Sequence, residues 1–405
     1  MVKAVVIGAG IAGPTLAVAL RGIGMEVEVF EQLPADADQR GSWLNFQANG
    51  LDALRSIGVG EWVEGIGYPV DTMSFVNGKG RFLGAMPMAF RRADGLSSRM
   101  VPRAELFVAL ADMARHHGVT VHHSKRMVEA LNTGSGVLVR FDDGTEVAGD
   151  LLIGADGIHS KVRRIIDPAA PEPRYVPVLN NGGYIPDFHV DVPPGEFRMQ
   201  FGTRAFFAWM NTPDGGTVWF ANPPMKKEPP RGTLSRITDE QWRRRLHGLM
   251  DEDVGPASAI IDAAPGPVAG WATYVMPVVR DWHDGSRMMI IGDAAHAASP
   301  ASGQGASLAL EDAVILAKCL RDVPDVGAAF DTFVALRRER VERIVADSRK
   351  SSAAKAAGPI LRVIRDAVLP RKFRAAQKDG GRSLMWLQGH HIDFETPVAA
   401  ASNIR

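Results

Sequence analysis

The chain has 405 residues, 46% of them hydrophobic, and its 46 basic side chains balance 46 acidic ones. That size supplies an ample core and suggests roughly two or three domains. The charge balance excludes a long-range field that would steer it to nucleic acid or an anionic membrane, so a small ligand is expected. The single cysteine, Cys319, excludes an internal disulfide framework and fits the cytoplasm. The N-terminus reads directly as a strand, with no signal-peptide pattern, and no apolar run reaches the length of a membrane span.

In chain order, Val2 to Ile7, a glycine turn, an apolar-periodic stretch from Pro14 to Arg21 and a strand Glu26 to Phe30 form a βαβ unit. Helices are predicted from Gly50 to Ser56 and from Arg103 to His116, the latter after Pro102 and ending near Gly118. Strands follow at Val119 to His122, Gly136 to Phe141 and Glu146 to Ala148, with a hairpin turn at Asp143-Gly144, and then the wholly apolar strand Leu151 to Ile153. From Tyr175 to Tyr274 the sequence turns to aromatic strands, Glu196 to Phe201, Ala205 to Asn211 and Thr217 to Asn222, and Asp214-Gly215-Gly216 marks a meander. Their aromatics Phe207, Trp209 and Trp219 fit plain core or a substrate wall. Strand Arg287 to Ile291 returns to the first unit, helices follow at Ser307 to Leu320 and Val326 to Ala356, and the segment from Pro359 is helical and basic, then irregular.

Gly8-Ala9-Gly10-Ile11-Ala12-Gly13 joins a strand to a helix. Glycines there permit a tight turn, close approach of backbone N–H groups to a pyrophosphate, and helix-to-strand packing. Glu31, closing the second strand, suits an adenosine ribose and would repel a 2′-phosphate. These residues indicate a dinucleotide without saying which. Two later segments sit at strand ends. Asp156-Gly157, within the run from Gly154 to Arg163, reads alone as an ordinary turn or as a site. Gly292-Asp293 is followed by Pro300 and by Gly303-Gln304-Gly305-Ala306, which opens a helix. A carboxylate at a strand end suits a ribityl hydroxyl, and a helix N-terminus suits a negatively charged reduced flavin. His296 fits capping or packing better than catalysis. The pairs His116-His117, His122-His123 and His390-His391 lack metal-ligand spacing, so no metal is expected. Cys319 reads as core.

The glycine loop with Glu31, the Asp156-Gly157 segment and the Gly292-Asp293 segment, in that order, resemble the class A flavoprotein monooxygenases, the family of para-hydroxybenzoate hydroxylase. The run Val101 to Leu106 and the Arg337-Arg338-Glu339-Arg340 helix add to the resemblance. It implies an α/β fold: a Rossmann-like FAD-binding domain over 1–70, 97–174 and 275–350, an inserted β-rich substrate domain over 71–96 and 175–274, and C-terminal helical or irregular chain over 351–405.

The resemblance also implies FAD as cofactor, held by Gly8, Gly10, Ile11, Ala12, Gly13 and Glu31. Arg103 lies near the phosphates, Met127 offers a backbone contact to adenine, and Asp156 and Gly157 serve both FAD and nicotinamide. Gly292 and Asp293 hold the ribityl chain, and Pro300, Gly303, Gln304, Gly305 and Ala306 border the ring. NADPH or NADH then reduces the flavin, and O2 adds to give a C4a-hydroperoxide that hydroxylates an aromatic or polycyclic small molecule. Water exclusion calls for an apolar pocket between the two units. The catalytic base stays unassigned, with none of Tyr68, Tyr175, Tyr184 and Tyr274 placed in the pocket.

The sequence departs from the family pattern from Gly41 to Asn49, where Trp43 replaces a glycine and Ala48 a proline. Trp43, Asn45 and Gln47 therefore either reshape the pocket or repack the loop. Of the alternatives, a halogenase lacks its Trp-x-Trp-x-Ile-Pro signature. An epoxidase, a reductase or dehydrogenase of the same fold, and a non-catalytic flavin-binding protein stay open.

Overall fold

The computed structural model describes residues 1–35, 43–88, 92–299, 302–355 and 359–398, with backbone alone at 349–355 and 359–361. Burial on both faces drives the first layer. The apolar strands Lys3–Ile7, Glu26–Phe30, Leu151–Gly154, Met288–Ile290 and Thr120–His122 form a five-stranded sheet. Lys3–Ile7 lies at its centre, and every pairing is parallel. Parallel strands need crossovers and bury both faces. Here helix Ala12–Gly22 makes the first crossover, and helices Arg103–His116 and Gly305–Asp322 pack against it. Leu16, Val29, Leu152, Ile290 and Leu310 are all fully or almost fully buried in the common core.

The expected hairpin around Asp143-Gly144 pairs Val137–Phe141 with Glu146–Gly149. A third strand, Met127–Asn132, was not foreseen. A larger sheet has seven strands in the order Gly270–Val275, Arg174–Ile185, Thr217–Asn222, Phe206–Asn211, Glu196–Phe201, Thr72–Asn77, Phe82–Pro87. Its predicted meander is present, Trp209 facing Trp219 across the antiparallel pair. Thr72–Asn77 joins the sheet by a parallel pairing to Glu196–Phe201, so chain more than a hundred residues upstream completes it. One sheet face buries Phe207, Trp209 and Trp219 under helices Asp239–Met250 and Ala257–Ala263, with Phe207 stacked on Trp219 at 5.6 Å. These three aromatics are therefore core. The opposite face carries Phe206, Met210 and Phe220, and Trp43, Tyr184 and Phe373 of helix Pro359–Asp379 pack there.

A small antiparallel sheet, Trp43–Phe46 with Arg99–Pro102 and Tyr68–Pro69, links the two larger ones. The chain after residue 384, a helical turn Met385–Gln388 followed by irregular chain, does not trail away. Helix cations donate to its carbonyls, Arg340 to Trp386 and Leu387 and Arg321 to Phe394, while Asp52 accepts from Ile392 N.

Candidate active site

The glycine loop turns because Gly8 takes φ +104°, in the left-handed region that disfavours a side chain. A Cβ on Gly13 would fall 1.9 Å from the Gly8 carbonyl oxygen, so glycine is what lets the helix start sit on the turn. Gly10 is bare toward the edge of Phe107, the ring over which the Arg103 guanidinium stacks at 4.9 Å. Ile11 caps the helix that Ala12 begins. Glu31 accepts from Ala9 N and Leu33 N, both at 2.9 Å, tying the second strand's end to the loop. Lys125 N donates to the Glu31 carbonyl at 2.8 Å, which carries the backbone towards Met127 past this strand end. The Met127 side chain is buried in the core, leaving only its backbone for any ligand.

The two later segments converge on this loop. Gly8 sits so close to the Asp156 segment that a Cβ there would lie 2.3 Å from the Ala155 oxygen and 3.1 Å from Asp156 Cα. One oxygen of Asp156 accepts from Lys161 N and Val162 N, while its other oxygen is buried without a partner. Desolvation raises the Asp156 pKa against those hydrogen bonds. Gly157 is left-handed at φ +74°, as its turn requires. Arg163, a residue given no role from sequence, is buried and donates to the Ala294 and Ile158 carbonyls, fastening one segment to the other.

Gly292 is also left-handed, and its bare Cα packs between Ala12 and Ala309, so the second segment meets the first helix. Asp293 opens to solvent at the crevice floor yet is hemmed in by protein on its other sides. That desolvation raises its pKa, opposed by the charges of His296 and Arg103. Burial in turn lowers the Arg103 pKa, against the pull of Asp293. The Asp293 carboxylate faces the start of helix Gly305–Asp322, where a Cβ on Gly305 would lie 3.9 Å from it.

Gly303, left-handed at φ +62°, lies against Asn45 and Gln47. Gln304 differs from the expectation in one respect, since its side chain turns inward to Gln47 and Asn49 and leaves only backbone at the helix start. Gly305 and Ala306 are half-buried there. Pro300, Gly41 and Ser42 lie outside the described residues.

Behind this helix start lies a buried charged network that the sequence reading did not assemble. Arg337, fully buried, meets Glu311 at 2.6 Å and Asp312 at 2.8 Å, and Arg340 meets Glu311 at 2.8 Å. Asp312 also accepts from Gly292 N at 2.9 Å and pairs with His296 Nε2 at 2.5 Å, so His296 is a packed partner of the network. Desolvation works against Glu311, but Arg337 and Arg340 still hold its carboxyl down at about 2. The signal available in the sequence was the spacing of Glu311-Asp312 and Arg337/Arg340 on two successive helices.

FAD fits this crevice on three counts. The loop Gly8–Gly13 offers bare backbone at a helix start. Asp156 has a buried, unpaired oxygen beside it. Arg103 and Asp293 act on each other as opposite charges. Glycine loop, helix start and strand-end carboxylates together define the flavin-binding site of a flavoprotein.

A family model described as an FAD binding domain matches residues 1–348, and the chain belongs to that family. The aurachin C monooxygenase/isomerase of Stigmatella aurantiaca is 31% identical over 352 residues, covering 84% of this chain and 86% of the relative. Salicylate hydroxylase of Pseudomonas putida is 28% identical over 431 residues, covering 98% and 94%. The crystal structure of Klebsiella pneumoniae HpxO with FAD and uric acid matches at TM-score 0.79 and 26% identity, covering 93% of this chain and 96% of that one. The chain is an FAD-dependent monooxygenase. No helix among the described residues is long and apolar enough to cross a membrane.

Proposed function

We propose that the chain uses NADPH or NADH and O2 to hydroxylate an aromatic or polycyclic small molecule. The substrate would lie between a FAD-binding part, residues 1–70, 97–174 and 275–350, and a β-rich part, residues 71–96 and 175–274. What supports this reading is the close approach of Gly8 to Ala155 and Asp156, the mutual pull of Arg103 and Asp293, and the approach of Asp293 to the helix start at Gly305. Bound FAD supplies hydride acceptance from the nicotinamide and activation of O2, chemistry that side chains lack.

The protein's part is binding, orientation and exclusion of water. Gly8, Gly10, Ile11, Ala12 and Gly13 present backbone N–H groups to the pyrophosphate, with the helix start favouring its charge. Arg103 adds a cation beside it, and Glu31 takes the ribose. Asp293 receives ribityl hydroxyls, and the Gly303–Ala306 turn stabilises negative charge at the ring edge through the helix N-terminus. Met127 backbone, Asp156, Gly157 and Gly292 complete the cradle. The apolar sheet face keeps water from the reacting atoms.

Asp293→Ala tests the assignment. The folded variant should purify with sharply reduced FAD content, and full retention of the flavin would contradict it.

A further inference from the structure

The turn 212–216 brings Asp214 to two phenols far away in sequence. Its Oδ2 accepts from Tyr68 at 2.7 Å and from Tyr184 at 2.9 Å, and its Oδ1 accepts from Thr212 at 2.5 Å. Desolvation works against the charge, but the hydrogen bonds from Thr212, Tyr68 and Tyr184 hold the Asp214 carboxyl at about 2. Desolvation and the bond to Asp214 raise the pKa of both tyrosines, so they stay protonated. A phenol has one proton to donate and lone pairs to accept with. Both protons are committed to Asp214, so what remains is a pair of acceptor oxygens.

The cluster is tightly packed, and Trp43 ties it to the strand that reaches Gly303. A Cβ on Gly216 would fall 2.4 Å from the Tyr184 ring, so that ring rests directly on the bare turn. Trp43 stacks on Tyr68 at 5.8 Å and lies 5.9 Å from Tyr184. Side chains alternate along a strand, so Trp43 shares its face with Asn45 and Gln47, which touch Gly303 and Ser302. Two residues of strand place Trp43 only about 7 Å along from Asn45. Glu105 adds negative charge acting on Tyr68, and Asp187 on Tyr184.

We propose that Tyr68 and Tyr184, held by Asp214 beside Trp43, are the specificity end of the substrate site. They select a neutral or cationic aromatic carrying an O–H or N–H donor and reject an aromatic carboxylate. This rests on the monooxygenase reading above. A donor on the substrate completes the open lone pairs. A carboxylate sets acceptor against acceptor and adds a charge beside Asp214, and such mispairing is how a site discriminates.

The test titrates FAD-loaded, full-length protein with 2-naphthol and with 2-naphthoate, reading the visible spectrum of the bound flavin. The wild type should bind the naphthol about tenfold more tightly, the upper range of one neutral hydrogen bond. Tyr184→Phe should weaken naphthol binding several-fold and should not weaken naphthoate binding. Asp214→Asn should tighten naphthoate and narrow the ratio. FAD content reports folding of each variant, and Tyr68→Phe stands in for one that does not hold the flavin. Equal wild-type affinities, or a ratio that no variant moves, overturn the proposal alone. A wild-type chain that binds no FAD overturns the reading beneath it.

Discussion

Replacing Arg337 by methionine keeps most of the side-chain volume and deletes the cation between Glu311 and Asp312. All three side chains are fully buried, so water cannot take the cation's place. Breaking a buried pair by removing one partner costs about 3–5 kcal/mol, because a desolvated charge is left behind. Arg340 still holds Glu311 at 2.8 and 2.9 Å, and His296 and Gly292 N still reach Asp312. The loss should therefore sit near the lower end, about 3 kcal/mol, a large fraction of a typical total of about 5–15 kcal/mol. Urea unfolding followed by tryptophan fluorescence measures it. A cycle with Asp312→Asn should show coupling of about 1–3 kcal/mol, since the two side chains touch. A loss below about 1 kcal/mol, the range of exposed ion pairs, would refute the claim that this network braces the flavin-side helix start.

Two further outcomes are expected. Trp43→Gly restores the residue that the family pattern carries and removes the ring packed on Tyr68 and Tyr184, so it should change substrate-stimulated NADPH oxidation more than FAD affinity; unchanged turnover across several substrates would mean that Trp43 only packs. Desolvation lowers the His390 pKa from 6.5 to about 4 in the folded protein, against the charge of Glu311 and with those of Arg340 and Arg337. The unfolded chain then binds a proton that the folded one refuses, so stability should fall as pH drops from 6.5 to about 4, by up to ~3 kcal/mol. His390→Asn should flatten that slope in urea titrations at several pH values, and an unchanged slope would contradict the burial argument.

The elements legible in the sequence were those specified locally. The opening strand, turn and helix, Glu31, and the strands leading into Asp156 and Asp293 each carry their signal within a dozen residues. Other missed elements depend on distant partners. Thr72–Asn77 becomes a strand by pairing with Glu196–Phe201, and Trp43–Phe46 by pairing with Arg99–Pro102. The segment after Gln388 has no periodicity to read, because Arg321 and Asp52 reach its backbone. Gln304 sat at the right place in the chain with its side chain facing the other way, a matter decided by Gln47 and Asn49 some 255 residues earlier. Likewise, Tyr68 and Tyr184 lie 146 and 30 residues from Asp214, too far for any spacing rule to join.

The central claim is most directly tested by screening phenols and polycyclic aromatics against the FAD-loaded protein, measuring NADPH oxidation, O2 uptake and product mass together. A substrate should stimulate oxidation and leave with one added oxygen atom, O2 being consumed in step. Stimulated oxidation with no oxygen in any product would contradict it.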